Sequence, residues 1–207
     1  MTRWAQQERQ TLVGVLTELG PDAPTACTGW ATADLAAHLY VRERRADAMP
    51  GVVLPGALAA HTDRVMASVL RVHSYDHVVG RIAAGPPLAL RPFDETLNLF
   101  EFFVHTEDVR RTNGLGQRDL PVELERLMWR RLRPMLRLSL RRVRNVQVEF
   151  VTAHGDRIVI GSGPTVRLLA PVGELALYAY NRKPIAEVDT SGDPAALGRL
   201  EAARLGV

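Results

Sequence analysis

The stretch Leu97–Arg111, LNLFEFFVHTEDVRR, decides the fold of the first half of this chain. Its phenylalanines and leucines cover most of the surface of a helix, and a helix that is apolar almost all round is buried. Within this apolar run, Glu101 is followed four residues later by His105. The pattern predicts one long helix from about residue 92 to residue 112, which Asn113-Gly114 would end.

The polar side chains of this helix fall on one narrow stripe, because successive residues are about 100° apart around the helix axis. We call the stripe the polar seam; its members are Asp94, Asn98, Glu101, His105 and Asp108. One interpretation is the solvated face of an amphipathic helix, although such faces are usually much broader. The other is an internal site, since a buried carboxylate and imidazole each need a partner.

A divalent metal would satisfy both groups at once. Residues four apart lie on adjacent turns of one helix face, so Glu101 and His105 can donate to the same ion. Asp108 and Asn98 would then orient these ligands. The motif is short and needs a third ligand from elsewhere in the chain.

His38, in the helical pattern ADLAAHLYVRE, is the natural candidate for that ligand. The alternative is a core histidine that is hydrogen-bonded to a neighbour. His73 and His77 form a rival pair four residues apart, in a short polar segment that we expect at the surface.

The spacing of apolar residues changes after about residue 144. Before it, helical spacing of apolar residues recurs over about 2–19, 32–46, 55–72 and 121–140. After it, alternation at period two around HGD predicts a β-hairpin, followed by a strand, a helix, a strand and a closing helix. We therefore predict an α+β protein with a helical bundle over 1–143 and a small α+β domain over 144–207.

The composition narrows the class of protein. The chain has 207 residues, 46% of them hydrophobic and 24% charged, which is typical of a soluble globular protein. The lone Cys27 argues against a disulfide-stapled secreted domain, and we expect Cys27 to be a small, partly buried apolar residue. The N-terminal pattern is not that of a signal peptide, and no apolar run is long enough to span a membrane. These features favour the cytoplasm.

Arginine supplies nearly all of the positive charge in a chain of net charge +3. Seven arginines lie between Arg130 and Arg144 without one acidic residue, which could hold nucleic-acid phosphates. A solvated helix face is the favoured interpretation, because little aromatic interleaving accompanies the run. A nucleic-acid partner is therefore not expected.

Three segments together resemble one known family. CTGWATADLAAHLYVRERRAD, with Trp30, Asp34, Leu35 and His38, resembles the second-helix signature of the DinB/YfiT-like metal-binding four-helix bundles. EFFVHTEDVRR resembles the helix in which a Glu and a His four apart complete a zinc site. GPTVRLLAPVGELALYAYNRKPIAEVDTSGD resembles the small C-terminal domain of the mycothiol-dependent maleylpyruvate isomerase family, to which the whole chain is most similar.

The resemblance implies a site and a chemistry. His38, Glu101 and His105 would be the ligands of a divalent metal, expected to be zinc, with an open coordination position. Asp108 and Arg182 would complete the catalytic set; Arg182 stands where the family often has Gly-Arg, and here the sequence is Asn181-Arg182.

The partners would be a low-molecular-weight thiol such as mycothiol and an electrophilic substrate, in a thiol transferase or isomerase. A homodimer is compatible with bundles of this kind. A metal-binding or ligand-sensing module without catalysis, and a metal-dependent hydrolase, remain alternatives.

Overall fold

Helices form the first of two units into which the chain divides, Met1–Gln117. The structure is a computed structural model that describes residues 3–45 and 57–205. The helices of the described part of this unit are α1 (Trp4–Leu19), α2 (Thr32–Arg44), α3 (Ala57–Val72), α4 (Tyr75–Ala83) and α5 (Asp94–Thr112). A 3-10 helix, Leu88–Phe93, precedes α5. The predicted helix boundaries near residues 2, 46 and 55 lie outside the described residues.

The core of this unit is built from apolar residues at helical spacing. α1 packs along α5, α2 packs along α3, and α4 contacts both α1 and α2. Leu12, Leu16, Leu35, Leu39 and Phe102 are at most 1% exposed in the resulting cluster. Burial of such side chains stabilises the fold by about 1.5–3 kcal/mol each, and it fixes the faces that α2 and α5 turn towards each other.

The second unit, Arg118–Val207, combines three α-helices with a mixed sheet in its described part. Its elements are α6 (Val122–Ser139), β1 (Val146–Val151), β2 (Arg157–Ser162), β3 (Thr165–Leu169), α7 (Val172–Ala179), β4 (Asp189–Gly192) and α8 (Pro194–Ala202). The strand order is β2-β1-β3-β4. β1 pairs antiparallel with β2 and parallel with β3, so Val148 lies between Ile160 and Val166. The predicted hairpin and the α+β class are confirmed.

The division of the chain differs from the predicted boundary after residue 143, because α6 belongs to the second unit. Leu124, Met128, Leu132 and Leu136 are at most 1% exposed, and α6 packs on α7 and β2. An amphipathic pattern shows that a helix buries one face, but not which element covers it. The predicted domains, a metal-binding helical bundle over 1–143 and a small α+β domain over 144–207, stay a prediction.

In the described ranges, no helix combines the length and the apolar character that crossing a membrane requires.

Candidate metal centre

The polar seam of α5 is buried rather than solvated. Asn98, His105 and Asp108 are 4%, 7% and 0% exposed, and the side chain of Glu101 is 20% exposed. The interpretation of the seam as a wet helix face is therefore wrong. Acidic residues occupy the first turn of α5, and Arg110 and Arg111 occupy its last turn. Both sets of charges interact favourably with the helix dipole.

Three nitrogen donors converge on one oxygen of the seam, Glu101 Oε1. The Nε2 atom of His38, from α2, lies 3.1 Å away, and the Nε2 atom of His105 lies 3.4 Å away. The Nε atom of Arg42, one helical turn after His38, lies 3.3 Å away. The two imidazole rings meet edge to face, with centroids 5.5 Å apart. The structure thus brings together the three predicted metal ligands.

A carboxylate lies behind the second imidazole. His105 Nδ1 lies 2.9 Å from Oδ2 of Asp108, which is fully buried. The thiol of Cys27 donates to the same oxygen at 3.3 Å, and its sulfur is 3.9 Å from His105 Nδ1. A carboxylate on one ring nitrogen fixes the ring orientation and leaves the other nitrogen free to bind a metal. Asp108 therefore has the position that its predicted orienting role requires.

The protonation states follow from these contacts. Burial alone would raise the pKa of Glu101, but hydrogen bonds from His105 and His38 lower this pKa well below its usual range. Burial disfavours a charged His105, yet hydrogen bonds to Asp108, Cys27 and Glu101 raise its pKa well above the ordinary value. Burial lowers the pKa of His38. These shifts favour the charged forms of Glu101 and His105 and the neutral form of His38.

The donor set fits a tetrahedral divalent metal. Zinc–ligand bonds of about 2.0–2.1 Å at tetrahedral angles place neighbouring donor atoms about 3.3 Å apart. The distances from Glu101 Oε1 to the two Nε2 atoms, 3.1 and 3.4 Å, bracket that separation. One donor atom from each of His38, Glu101 and His105 lies within 4.8 Å of the other two. Small shifts of these side chains would place all three around one ion.

A second grouping of possible ligands shares His105. Cys27, His105 and Asp108 also bring one donor atom each within 4.8 Å of the others. This group contains a single imidazole, whereas the group of His38, Glu101 and His105 contains two. Histidine is the commonest metal ligand in proteins, which favours the first group.

Two residues at this site were missed by the sequence reasoning. Cys27 was expected to be a small, partly buried apolar residue; it is partly buried, but its thiol donates to Asp108. Arg42 was not considered, although it lies four residues after His38 and therefore on the same face of α2. The four-residue spacing could have identified Arg42 from the sequence.

The rival histidine pair lies elsewhere. His73 and His77 stack on each other with ring centroids 4.7 Å apart and planes at 14°. The ring of Tyr40 lies beside His73, with ring centroids 6.0 Å apart. Neither histidine belongs to the clusters of potential ligands found among the described residues.

Arg182 follows a residue in the left-handed backbone conformation. Asn181 has φ +62°, the region that glycine adopts freely and asparagine tolerates better than most residues. Asn181 can thus replace the glycine that the resemblance expects without altering the local backbone. Within its own unit, Arg182 Nη1 donates to the carbonyl of Tyr180 at 3.2 Å. Its catalytic assignment stays a prediction.

Comparisons with known proteins address the fold. Neither a protein-family model nor a curated protein matches the chain. Among solved structures, the chain is similar to the crystal structures of the mycothiol-dependent maleylpyruvate isomerase and of a histidine-to-alanine mutant of it. In both cases the TM-score is 0.54 and the identity 14%, over 91% of this chain and 90% of the other. The chain therefore has the fold that the sequence resemblance predicted.

Proposed function

We propose that this protein binds a divalent metal, zinc by expectation, through His38, Glu101 and His105. The observation behind the proposal is the convergence of two imidazole nitrogens on one carboxylate oxygen, at 3.1 and 3.4 Å. Two histidines and one carboxylate are a common ligand set of catalytic zinc sites, in which a fourth position stays open. Histidine and carboxylate donors also accept other first-row metals.

We further propose that the site activates a low-molecular-weight thiol, with mycothiol as the first candidate. A bound divalent metal lowers the pKa of a thiol or water in its open position and so supplies a nucleophile near neutral pH. Addition of the thiol to an electrophilic carbon gives an S-conjugate, and its later elimination gives an isomer. The name of the structurally similar enzyme, a mycothiol-dependent isomerase, supports this choice of thiol.

The residues around the ligands have separate roles in this proposal. Asp108 holds the ring of His105 so that Nε2 faces Glu101. The partly exposed side chain of Glu101 marks the direction from which a thiol reaches the site. Arg182 is proposed as the arginine that assists the reaction.

Thiol consumption tests this function. Mycothiol loss with a panel of electrophiles should be catalysed by the metal-loaded wild type and should be abolished by His105→Ala. His154→Ala, at an exposed residue of the second unit, is the matched control and should keep full activity. Equal activity of wild type and His105→Ala would refute the proposal.

Two other outcomes would select the alternatives. Bound metal without turnover of any thiol would indicate a metal-binding or ligand-sensing module. Hydrolysis of an ester or amide panel without a thiol requirement would indicate a metal-dependent hydrolase.

A further inference from the structure

Arg42, in α2, contacts three residues of α5, one of which is the proposed ligand Glu101. Its Nε atom lies 3.3 Å from Glu101 Oε1, its Nη1 atom donates to Asn98 Oδ1, and its Nη2 atom donates to the Leu97 carbonyl at 2.9 Å. The side chain of Arg42 is 18% exposed. Two donated hydrogen bonds and the ion pair with Glu101 fix the orientation of the planar guanidinium, which a lysine ammonium cannot reproduce.

The acceptor that anchors Arg42 is itself fixed. Asn98 Nδ2 donates to Glu43 Oε1 at 3.2 Å and to Asp94 Oδ1 at 2.6 Å. Since both of these partners are carboxylates, the amide oxygen of Asn98 must face the guanidinium of Arg42. Rotating the amide would place its NH₂ group against a donor and its oxygen against the carboxylates.

The network continues to a deeply buried cation, Arg9. The guanidinium of Arg9 donates to Glu43 at 2.9 and 2.7 Å and to Asp94 at 2.8 Å, and the side chain is 1% exposed. Glu43 lies in α2 and Asp94 in α5. Hydrogen bonds therefore run from the interior of the first unit to Arg42, whose Nε atom forms an ion pair with the carboxylate of Glu101.

We propose that Arg42 is a positioning residue, which holds the Glu101 carboxylate so that Oε1 faces both imidazoles and thereby sets the metal affinity. This inference rests on the metal site of the proposed function. A role through charge alone would have the opposite sign, because a nearby cation repels a metal ion. The geometry favours positioning, since the remaining Arg42 contacts fix the guanidinium plane.

Metal affinity separates the two roles. Arg42→Lys keeps the charge and loses the three-way contact, whereas Arg42→Gln removes the charge. Co²⁺ dissociation constants would be measured on the full chain by chelator competition, together with the Co²⁺ absorption spectrum, which reports the coordination geometry. Positioning predicts that both variants raise the dissociation constant about tenfold or more and change the spectrum.

Other results would overturn the inference. Tighter binding by Arg42→Gln with wild-type binding by Arg42→Lys would show a role of charge alone. Wild-type Co²⁺ affinity and a wild-type spectrum in both variants would show that Arg42 does not position Glu101 for metal binding. If wild type itself bound no Co²⁺, the proposed metal site would fail together with this inference, whereas failure in the variants alone refutes only the role of Arg42.

A second variant keeps the inference testable if the Arg42 variants do not fold. Asn98→Ala leaves the charge of Arg42 in place and removes its anchor, so it should also weaken Co²⁺ binding. Arg157→Gln, at an exposed arginine of the second unit, should leave the dissociation constant unchanged. Wild-type Co²⁺ affinity in folded Asn98→Ala would contradict the positioning role.

Discussion

The two ends of the α5 polar seam contain similar side chains but neutralise their charges differently. At the first end, Asp94 and Glu43 surround the guanidinium of Arg9, which is 1% exposed. At the second end, Glu101 faces two imidazoles and the partly exposed Arg42. The chain provides its own permanent cation for the first pair of carboxylates. At the second end, the imidazole nitrogens can release protons to solvent and bind a metal ion in their place.

The comparison shows why the same helix face can be structural at one end and functional at the other. Arginine stays protonated at any accessible pH, so the Arg9 cluster is closed to exchange. Imidazoles change protonation in the physiological range, and Glu101 is 20% exposed. An external cation can therefore enter only where the donors are exchangeable and reachable.

The largest expected effect is on stability, at the closed end. Arg9→Met should lower the free energy of unfolding by about 3–5 kcal/mol, because it leaves the buried Glu43 and the partly buried Asp94 without their cation. Urea denaturation measures this loss. Arg157→Met, which breaks an ion pair whose arginine is 65% exposed, is the control and should cost no more than about 1 kcal/mol. A loss of unfolding free energy in Arg9→Met as small as that in Arg157→Met would show that Arg9 is not needed to neutralise the carboxylates at the first end.

At the open end, the next largest effect concerns Asp108. Asp108→Asn keeps the shape of the side chain and removes the charge behind His105, so metal affinity should fall about 10–100-fold. Competition with a chelator of known affinity measures the change. Asp156→Asn, at an exposed residue of the second unit, should leave the affinity unaltered. Wild-type metal affinity in Asp108→Asn would show that the Asp108 charge does not contribute to metal binding.

The smallest expected effect belongs to Cys27. Cys27→Ser should retain the metal, because a serine hydroxyl can donate to Asp108 Oδ2 as the thiol does. Elemental analysis of the purified variant is the measurement. Loss of the metal would instead assign it to the group of Cys27, His105 and Asp108.

Much of the open end could be predicted from the sequence. The periodicity of residues 94–112 predicts a buried helix with one polar face, and the spacing of Glu101 and His105 predicts their convergence. His38 was chosen through the resemblance and its position in a helical pattern. The three side chains do lie together, because their placement depends on local spacing and on motifs within single helices, whereas their role as metal ligands stays a prediction.

The contacts that were missed depend on tertiary structure. Cys27 reaches Asp108 because the segment before α2 folds onto the end of α5, where the N–H of Ala26 donates to the Asp108 carbonyl at 3.0 Å. Arg9 lies 34 residues from Glu43 and 85 from Asp94 in sequence. No local pattern indicates such pairings. The placement of α6 in the second unit was missed for the same reason.

Metal content measured by elemental analysis tests the central claim most directly. Purified wild type should contain about one divalent metal ion per chain, and so should the control His73→Ala, which alters the rival histidine pair. His38→Ala and Glu101→Ala, each verified as folded by circular dichroism, should contain almost none. A content near the wild-type level in both ligand variants would contradict the assignment of the metal to His38, Glu101 and His105.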